Sequence, residues 1–302
     1  MLAESSVAVP ETDVWCDWLG HGRHAGDAGL RARIAADTAD FAARILDAVQ
    51  APPSAMLDLG CGEGLMAWAA LARWPYVRVL CTDISQPLLA VAQAAAAERN
   101  VAGQCGFLLC GADHLAEVAS GSQDLVTSRS VLAYVADKPA AFREAFRVLR
   151  PGGTLSIAEP LFREEALAAC AMRAALERAP NALLDWLHRW KAVQFPDDEV
   201  AMACNPLTNH TERDMLQFAR EAGFSPIHLE LHIDVQPAPP RDWAVFTAIA
   251  PHPLAPPLAQ ILAERFSTEE REAFEAVLRP DIEAGTFSST GRMFYLHARK
   301  PC

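Results

Sequence analysis

The chain has 302 residues, 51% of them hydrophobic, with 26 Lys and Arg against 38 Asp and Glu for a net charge of −12. That balance excludes disorder, a collagen-like repeat and a coiled coil, and it disfavours a nucleic-acid partner because no Lys/Arg-rich run opposes the acidic excess. Length alone argues for about two domains. The opening MLAESSVAVPETD has no basic region followed by an apolar run, and no apolar run approaches the roughly 18 residues of a membrane span, so a cytoplasmic protein without a span is expected. The eight cysteines form no CxxC pair and read as small buried hydrophobes in a reducing compartment. Cys16, His21 and His24 are close in sequence, but their spacing matches no zinc pattern, and no metal is expected.

Apolar residues at Leu30, Ile34, Phe41, Ile45 and Val49 recur at helical spacing, predicting a helix over 30–50 that ends before Pro52-Pro53. The strand AMLDLG follows, then a glycine cluster, a helix over Leu65–Arg73, the strand YVRVLCTDI, a helix over Gln86–Arg99 and the strands GFLLCG and DLVTSR. A helix over Lys138–Leu149 stops at Pro151-Gly152-Gly153, where a turn with Gly152 in the left-handed region leads into the strand TLSIAEP. Strands alternating with helices specify a parallel sheet covered on both faces. Beyond Pro160 the rhythm changes: Leu161–Lys191 reads as nearly unbroken helix, Phe195–Asn209 as a break, and Thr211–Ala222 as a helix closed by Gly223. In IHLELHIDV, Ile227, Leu229, Leu231, Ile233 and Val235 alternate with polar residues, the period of a strand covered on one face. A Pro-rich stretch, a helix over Thr268–Leu278 and a last strand RMFYLHARK complete the chain.

The strongest chemical signal is Asp58-Leu59-Gly60-Cys61-Gly62-Glu63-Gly64 at the end of the first strand. Glycines there permit a tight turn and close approach to a ligand, with the next helix presenting its N-terminal N–H groups. A nicotinamide fingerprint needs a glycine where Leu65 stands, which argues against a nicotinamide oxidoreductase. Asp83, at the end of the second strand, is placed to accept hydrogen bonds from both hydroxyls of a ribose.

DLGCGEG, the acid of CTDIS, the acid of GADHL, DLVTSR followed by SVLAYV, and the LRPGG turn resemble, in order and spacing, the motifs of class I S-adenosylmethionine-dependent methyltransferases, over about residues 56–160. The resemblance implies an α/β fold, a Rossmann-like seven-stranded mostly parallel sheet with helical cap insertions, binding S-adenosyl-L-methionine across the carboxyl ends of its strands. It implies that Asp58, Gly60, Cys61 and Gly62 border the methionyl side. Asp83 then takes the ribose, Ile84 lies against the adenine, Ala112 and Asp113 read the adenine edge, and Ser128 and Arg129 meet the sulfonium and its amino-acid end. Arg129 and Tyr134 are the candidate catalytic residues, with Glu159 a third that would equally cap the following helix. Trp186 and Trp190, one turn apart, read first as core, and His210 and Asn209 as capping material; Arg292 reads as a surface cation.

The expected organisation is a cofactor-binding core (27–160 with 211–236 and 291–302), a helical substrate cap (161–210 and 237–290), and an N-terminal lid over 1–26 carrying Trp15, Trp18 and Arg23. The expected reaction is methyl transfer to a small-molecule acceptor by in-line displacement. A non-catalytic cofactor- or partner-binding module on the same fold is the alternative. An arsenite-methylating enzyme is another, disfavoured by Ser130 where that branch has cysteine. Neither acceptor nor oligomeric state is legible from the sequence.

Overall fold

A computed structural model describes residues 12–302. The first eleven residues of the expected lid lie outside the described residues. The chain then enters a short helix α1 (Val14–Asp17), one π-helical turn (Trp18–Gly22) and α2 (Ala28–Asp47). α2 starts two residues earlier than its apolar periodicity suggested, because the Asp27 side chain accepts the Leu30 N–H at 2.6 Å and caps it. There follow β1 (Ala55–Leu59), α3 (Leu65–Arg73), β2 (Arg78–Asp83), α4 (Gln86–Glu98), β3 (Cys105–Leu109), β4 (Gln123–Arg129), α5 (Lys138–Val148) and β5 (Leu149–Pro160).

The seven strands form one sheet in the order β3-β2-β1-β4-β5-β7-β6, where β6 is Ile227–Pro237 and β7 is Ser288–Arg299. β1 to β5 pair in parallel, while β7 runs antiparallel to both neighbours. The strand order reverses beside β1, between the β1–α3 and β4–α5 connections, which is where an open α/β sheet binds ligands at its carboxyl edge. Alternation along each strand feeds two cores: Met56 packs with Ile45, Ala67 and Leu89 on one face, and Leu57 with Phe142, Met215 and Phe294 on the other.

The LRPGG segment does not precede β5 as a separate turn. It is hydrogen-bonded into the sheet, with Gly152 at φ +80° donating its N–H to Lys300 O at 2.8 Å, and the pairing with β4 shifts register between Gln123 and Leu125.

The region read as almost wholly helical after Pro160 holds two helices, α6 (Arg163–Arg178) and α7 (Ala182–Gln194). Pro180 disfavours helix in the residue before it and Asn181 caps the next helix through Leu184 N–H. A short α8 (Glu199–Cys204) lies inside the expected break, and α9 (Glu212–Ala222) ends at Gly223 with φ +104°. Between β6 and β7 run α10 (Trp243–Ala248), α11 (Leu258–Arg265) and α12 (Thr268–Ala284); α12 continues through Pro280 to Gly285. Trp186 and Trp190 of α7 join Trp243, Leu258, Ile261 and Phe274 in a hydrophobic cluster separate from the two sheet cores, so 161–210 and 237–290 pack on each other. No helix among the described residues is long and apolar enough to cross a membrane.

Candidate active site

β1 delivers the chain into Gly60, Cys61 and Gly62, with Gly60 at φ +59° and Gly62 at φ +55°. A Cβ on Gly60 would stand 2.3 Å from Val131 Cγ2, so the loop leaving β4 crosses the glycine loop only because residue 60 has no side chain. Asp83 ties this loop to the head of α4: its Oδ2 accepts Gly62 N–H at 2.8 Å and its Oδ1 accepts Ser85 N–H at 2.9 Å. Burial raises its pKa against the lowering effect of those donors. Asp58 is buried below the loop; Oδ1 accepts the Thr127 hydroxyl at 2.9 Å, Oδ2 has no partner, and desolvation pushes its pKa up to about 7. Cys61 is buried beside Cys81, whose thiol, together with burial, holds the Cys61 pKa far above the ordinary range.

Above the loop opens a cavity of about 770 Å³. Asp58, Gly60, Cys61, Gly62, Asp83, Ile84, Ala112, Asp113, Arg129 and Tyr134 all line it. Ser128 does not. It is fully buried and its hydroxyl donates to Glu159 Oε1 at 2.7 Å, because neighbouring residues of a strand point to opposite faces and Arg129 takes the one toward the cavity. Glu159 does not cap α6 either. It is buried and also accepts Val131 N–H at 2.9 Å and Ala133 N–H at 3.3 Å, pinning the loop that leaves β4; burial raises its pKa.

The roof comes from the N-terminal segment and the β6–β7 insertion. Trp18 Nε1 donates to Ala250 O at 3.0 Å, and Ala250 N–H donates to Gly22 O at 2.9 Å. Arg23 donates to Leu19 O and to Glu63 Oε2, both at 3.0 Å. Trp15 meets Tyr134 edge-on at 5.0 Å, and burial with the nearby Glu159 carboxylate pushes the Tyr134 phenol pKa well up. Arg129 lies with its guanidinium 5.4 Å from the Phe41 ring centre, its Nε enclosed and without a partner.

Sequence reasoning missed Arg31, Ile34, Ala35 and Thr38, which line the cavity from α2, and Phe162, Pro251 and Pro253. The first four were hidden in an ordinary amphipathic helix pattern, and Pro251 and Pro253 lie in a stretch without periodicity. The remaining candidates fall elsewhere. Trp186, Trp190 and Trp243 are cluster residues. The cap of α9 is Thr211, through a reciprocal bond with Asp214, while His210 is buried with Nδ1 3.1 Å from Pro206 O and Asn209 faces Lys138. Arg292 pairs with Glu165 at 3.4 Å. Cys16 and His21 do not converge with His24 on one point: among the described residues no three His, Cys, Asp or Glu side chains form a metal-binding group.

The wall suits a purine nucleoside with a charged tail. It offers a carboxylate at the end of β2, the exposed face of Ile84 for a flat ring, a second carboxylate in Asp113, and an unpartnered Asp58 oxygen beside a loop whose missing side chains leave room. A methyltransferase domain matches residues 57–157. Nocamycin O-methyltransferase of Saccharothrix syringae is 31% identical over 202 residues, covering 65% of this chain and 68% of the relative. Trans-aconitate 2-methyltransferase of Streptomyces avermitilis is 29% identical over 294 residues, 95% of this chain and 97% of the relative. Among solved structures, phosphoethanolamine N-methyltransferase 2 of Haemonchus contortus, in complex with S-adenosyl-L-methionine, shares the fold with a TM-score of 0.51 at 16% identity, over 96% of this chain and 57% of that one. With its glycine loop, sheet order and relatives in agreement, the chain belongs to the class I S-adenosylmethionine-dependent methyltransferases.

Proposed function

We propose that the enzyme transfers the methyl group to a small-molecule acceptor seated in the same cavity, between the cofactor and a cap formed by 161–210, 237–290 and the N-terminal lid. The observation that carries this reading is the continuity of the cavity. One side is the glycine loop with Asp83 and Asp113; the other is Arg129, Tyr134, Phe162 and the 251–253 segment. Asp83 holds the ribose hydroxyls, Ile84, Ala112 and Asp113 hold the adenine, and Asp58 with Gly60–Gly62 borders the methionyl tail.

Bound there, S-adenosylmethionine supplies a methyl group already activated on a positively charged sulfur. The residues of the chain therefore orient an acceptor and exclude water. The roof bonds between Trp18, Gly22 and Ala250 serve the second task. Tyr134, protonated because its pKa is raised, serves the first as a hydrogen-bond donor, and Arg129 as a fixed cation.

Calorimetric titration with S-adenosylhomocysteine tests the reading. Wild type binds it, and Asp83→Ala weakens binding at least ~30-fold, about 2 kcal/mol. Absence of binding, or unchanged affinity in a folded Asp83→Ala variant, rejects the assignment.

A further inference from the structure

We infer that the acceptor is an apolar carboxylic acid, that Arg129 holds its carboxylate, and that the methyl group is delivered to a carboxylate oxygen. This rests on the proposed function and adds the acceptor's chemical class. The argument begins with a charge inventory of the wall. Its acids are Asp58, Glu63, Asp83 and Asp113, and its arginines are Arg23, Arg31 and Arg129. Arg23 is already paired with Glu63 at 3.0 Å. Arg31 is exposed at the mouth.

Arg129 is left without an anion. It makes no hydrogen bond or ion pair among the described residues, and its Nε is closed off from solvent with nothing to donate to. The acceptor contacts of the nearby Glu159 go to Ser128, Val131 and Ala133. A guanidinium does not shed its proton, and an enclosed charge is matched by a counter-charge when its site is filled.

Among the described residues the acceptor side also lacks a base. His24 is buried on the cavity wall, but its Nδ1 accepts the Gly26 N–H at 3.0 Å, so the proton of the neutral ring sits on Nε2 and the group can only donate. Tyr134 keeps its proton. A hydroxyl or phenol would need a base here; a carboxylate does not. Trp15, Trp18, Phe162, Pro251 and Pro253 give the wall an apolar and aromatic stretch, which sets the body of the acid.

In the transfer, a lone pair of the carboxylate oxygen forms the new O–C bond as the C–S bond breaks and its electron pair stays on sulfur. The products are a neutral methyl ester and S-adenosylhomocysteine, and no proton moves. The ester has lost the charge that Arg129 held.

The test titrates protein saturated with S-adenosylhomocysteine with octanoate, cinnamate and phenylacetate, and with the amide of each. In wild type the acids bind at least tenfold more tightly than their amides. Arg129→Gln abolishes that preference while its thermal transition matches that of wild type, which shows the variant is folded; Arg129→Lys keeps part of the preference. Equal binding of acid and amide, no binding of any acid, or a preference undiminished in Arg129→Gln overturns the inference. A loss of S-adenosylhomocysteine affinity beyond tenfold in a folded Arg129→Gln, judged by its thermal transition, also overturns it, because the guanidinium then serves the cofactor's own carboxylate. Failure of wild type to bind S-adenosylhomocysteine is a different result and rejects the proposed function itself.

Discussion

Gly60 and Val131 compete for a space that admits no further carbon, and the crossing of two loops depends on it. Gly60→Ala adds a Cβ in a left-handed conformation and pushes it into Val131, so a loss of about 2 kcal/mol or more is expected in the denaturant midpoint, along with loss of cofactor binding. Glu159→Gln conserves shape but turns one acceptor oxygen into a donor facing Ser128 or the Val131 and Ala133 N–H groups. A destabilisation of about 1–3 kcal/mol is expected, against about 1 kcal/mol for Ser128→Ala, since only the former leaves backbone donors unmatched. At this scale the glycine loop and Asp83 were legible from the residues themselves, while Ile84, Ala112, Asp113 and Arg129 came from the resemblance to the methyltransferase motifs and Tyr134 from its place just after the fourth strand; all of them line the cavity. Ser128 was misplaced by one step of strand alternation. Glu159's role was hidden because its partners lie 26 to 31 residues away.

Whole elements show where periodicity informs and where it misleads. In β6, Ile227 and Leu229 pack against the sheet core and Leu231 is 42% exposed, whereas Ile233 and Val235 are 56% and 64% exposed because there the strand runs on past β5 as a two-stranded arm with β7. Alternation reported a strand correctly but not how far its cover extends. α10 and α11 escaped detection because each is too short, at 6 and 8 residues, to repeat a helical period clearly. The π-helical turn at Trp18–Gly22 had no signal in composition, yet it supplies the roof contacts. Trp18→Phe removes the indole donor to Ala250 O while keeping a ring in place. The Ala250 amide, bonded to Gly22 O, is then expected to exchange with solvent about tenfold faster, corresponding to ~1.4 kcal/mol. Thr211→Ala, which removes the reciprocal cap of α9, is expected to lower stability by about 1 kcal/mol, measured by urea unfolding.

For the molecule as a whole, two buried groups give stability opposite pH dependences. Asp58 titrates at about 7 when folded against 3.8 ordinarily, so the native state holds a proton that the unfolded chain has released, and its contribution falls as pH rises from about 4 to about 7. Burial lowers His210 from 6.5 to about 4, so its contribution is present above pH 6.5 and is lost as pH falls toward 4. Each slope reaches at most about 1.4 kcal/mol per pH unit, and where the windows overlap they offset each other. Urea midpoints at pH 5 and pH 7.5 separate them: relative to wild type, Asp58→Asn gains stability with rising pH, and His210→Gln gains it with falling pH.

The two domains suggested by length alone meet a sheet that the chain leaves after β5, re-enters at β6 and rejoins at β7. Pro237 and Ser288 are opposing rungs of β6 and β7, so everything between them departs from and returns to a single point on the sheet. Closing that gap with a tight turn would cost little chain entropy, since the flanking strands already fix both ends. The stretch 238–287 thus leaves and rejoins the sheet at one place, and is held elsewhere by the α7 cluster and the Trp18–Gly22 turn. A lineage could replace it and meet a new molecule without re-threading the strands that handle the methyl donor.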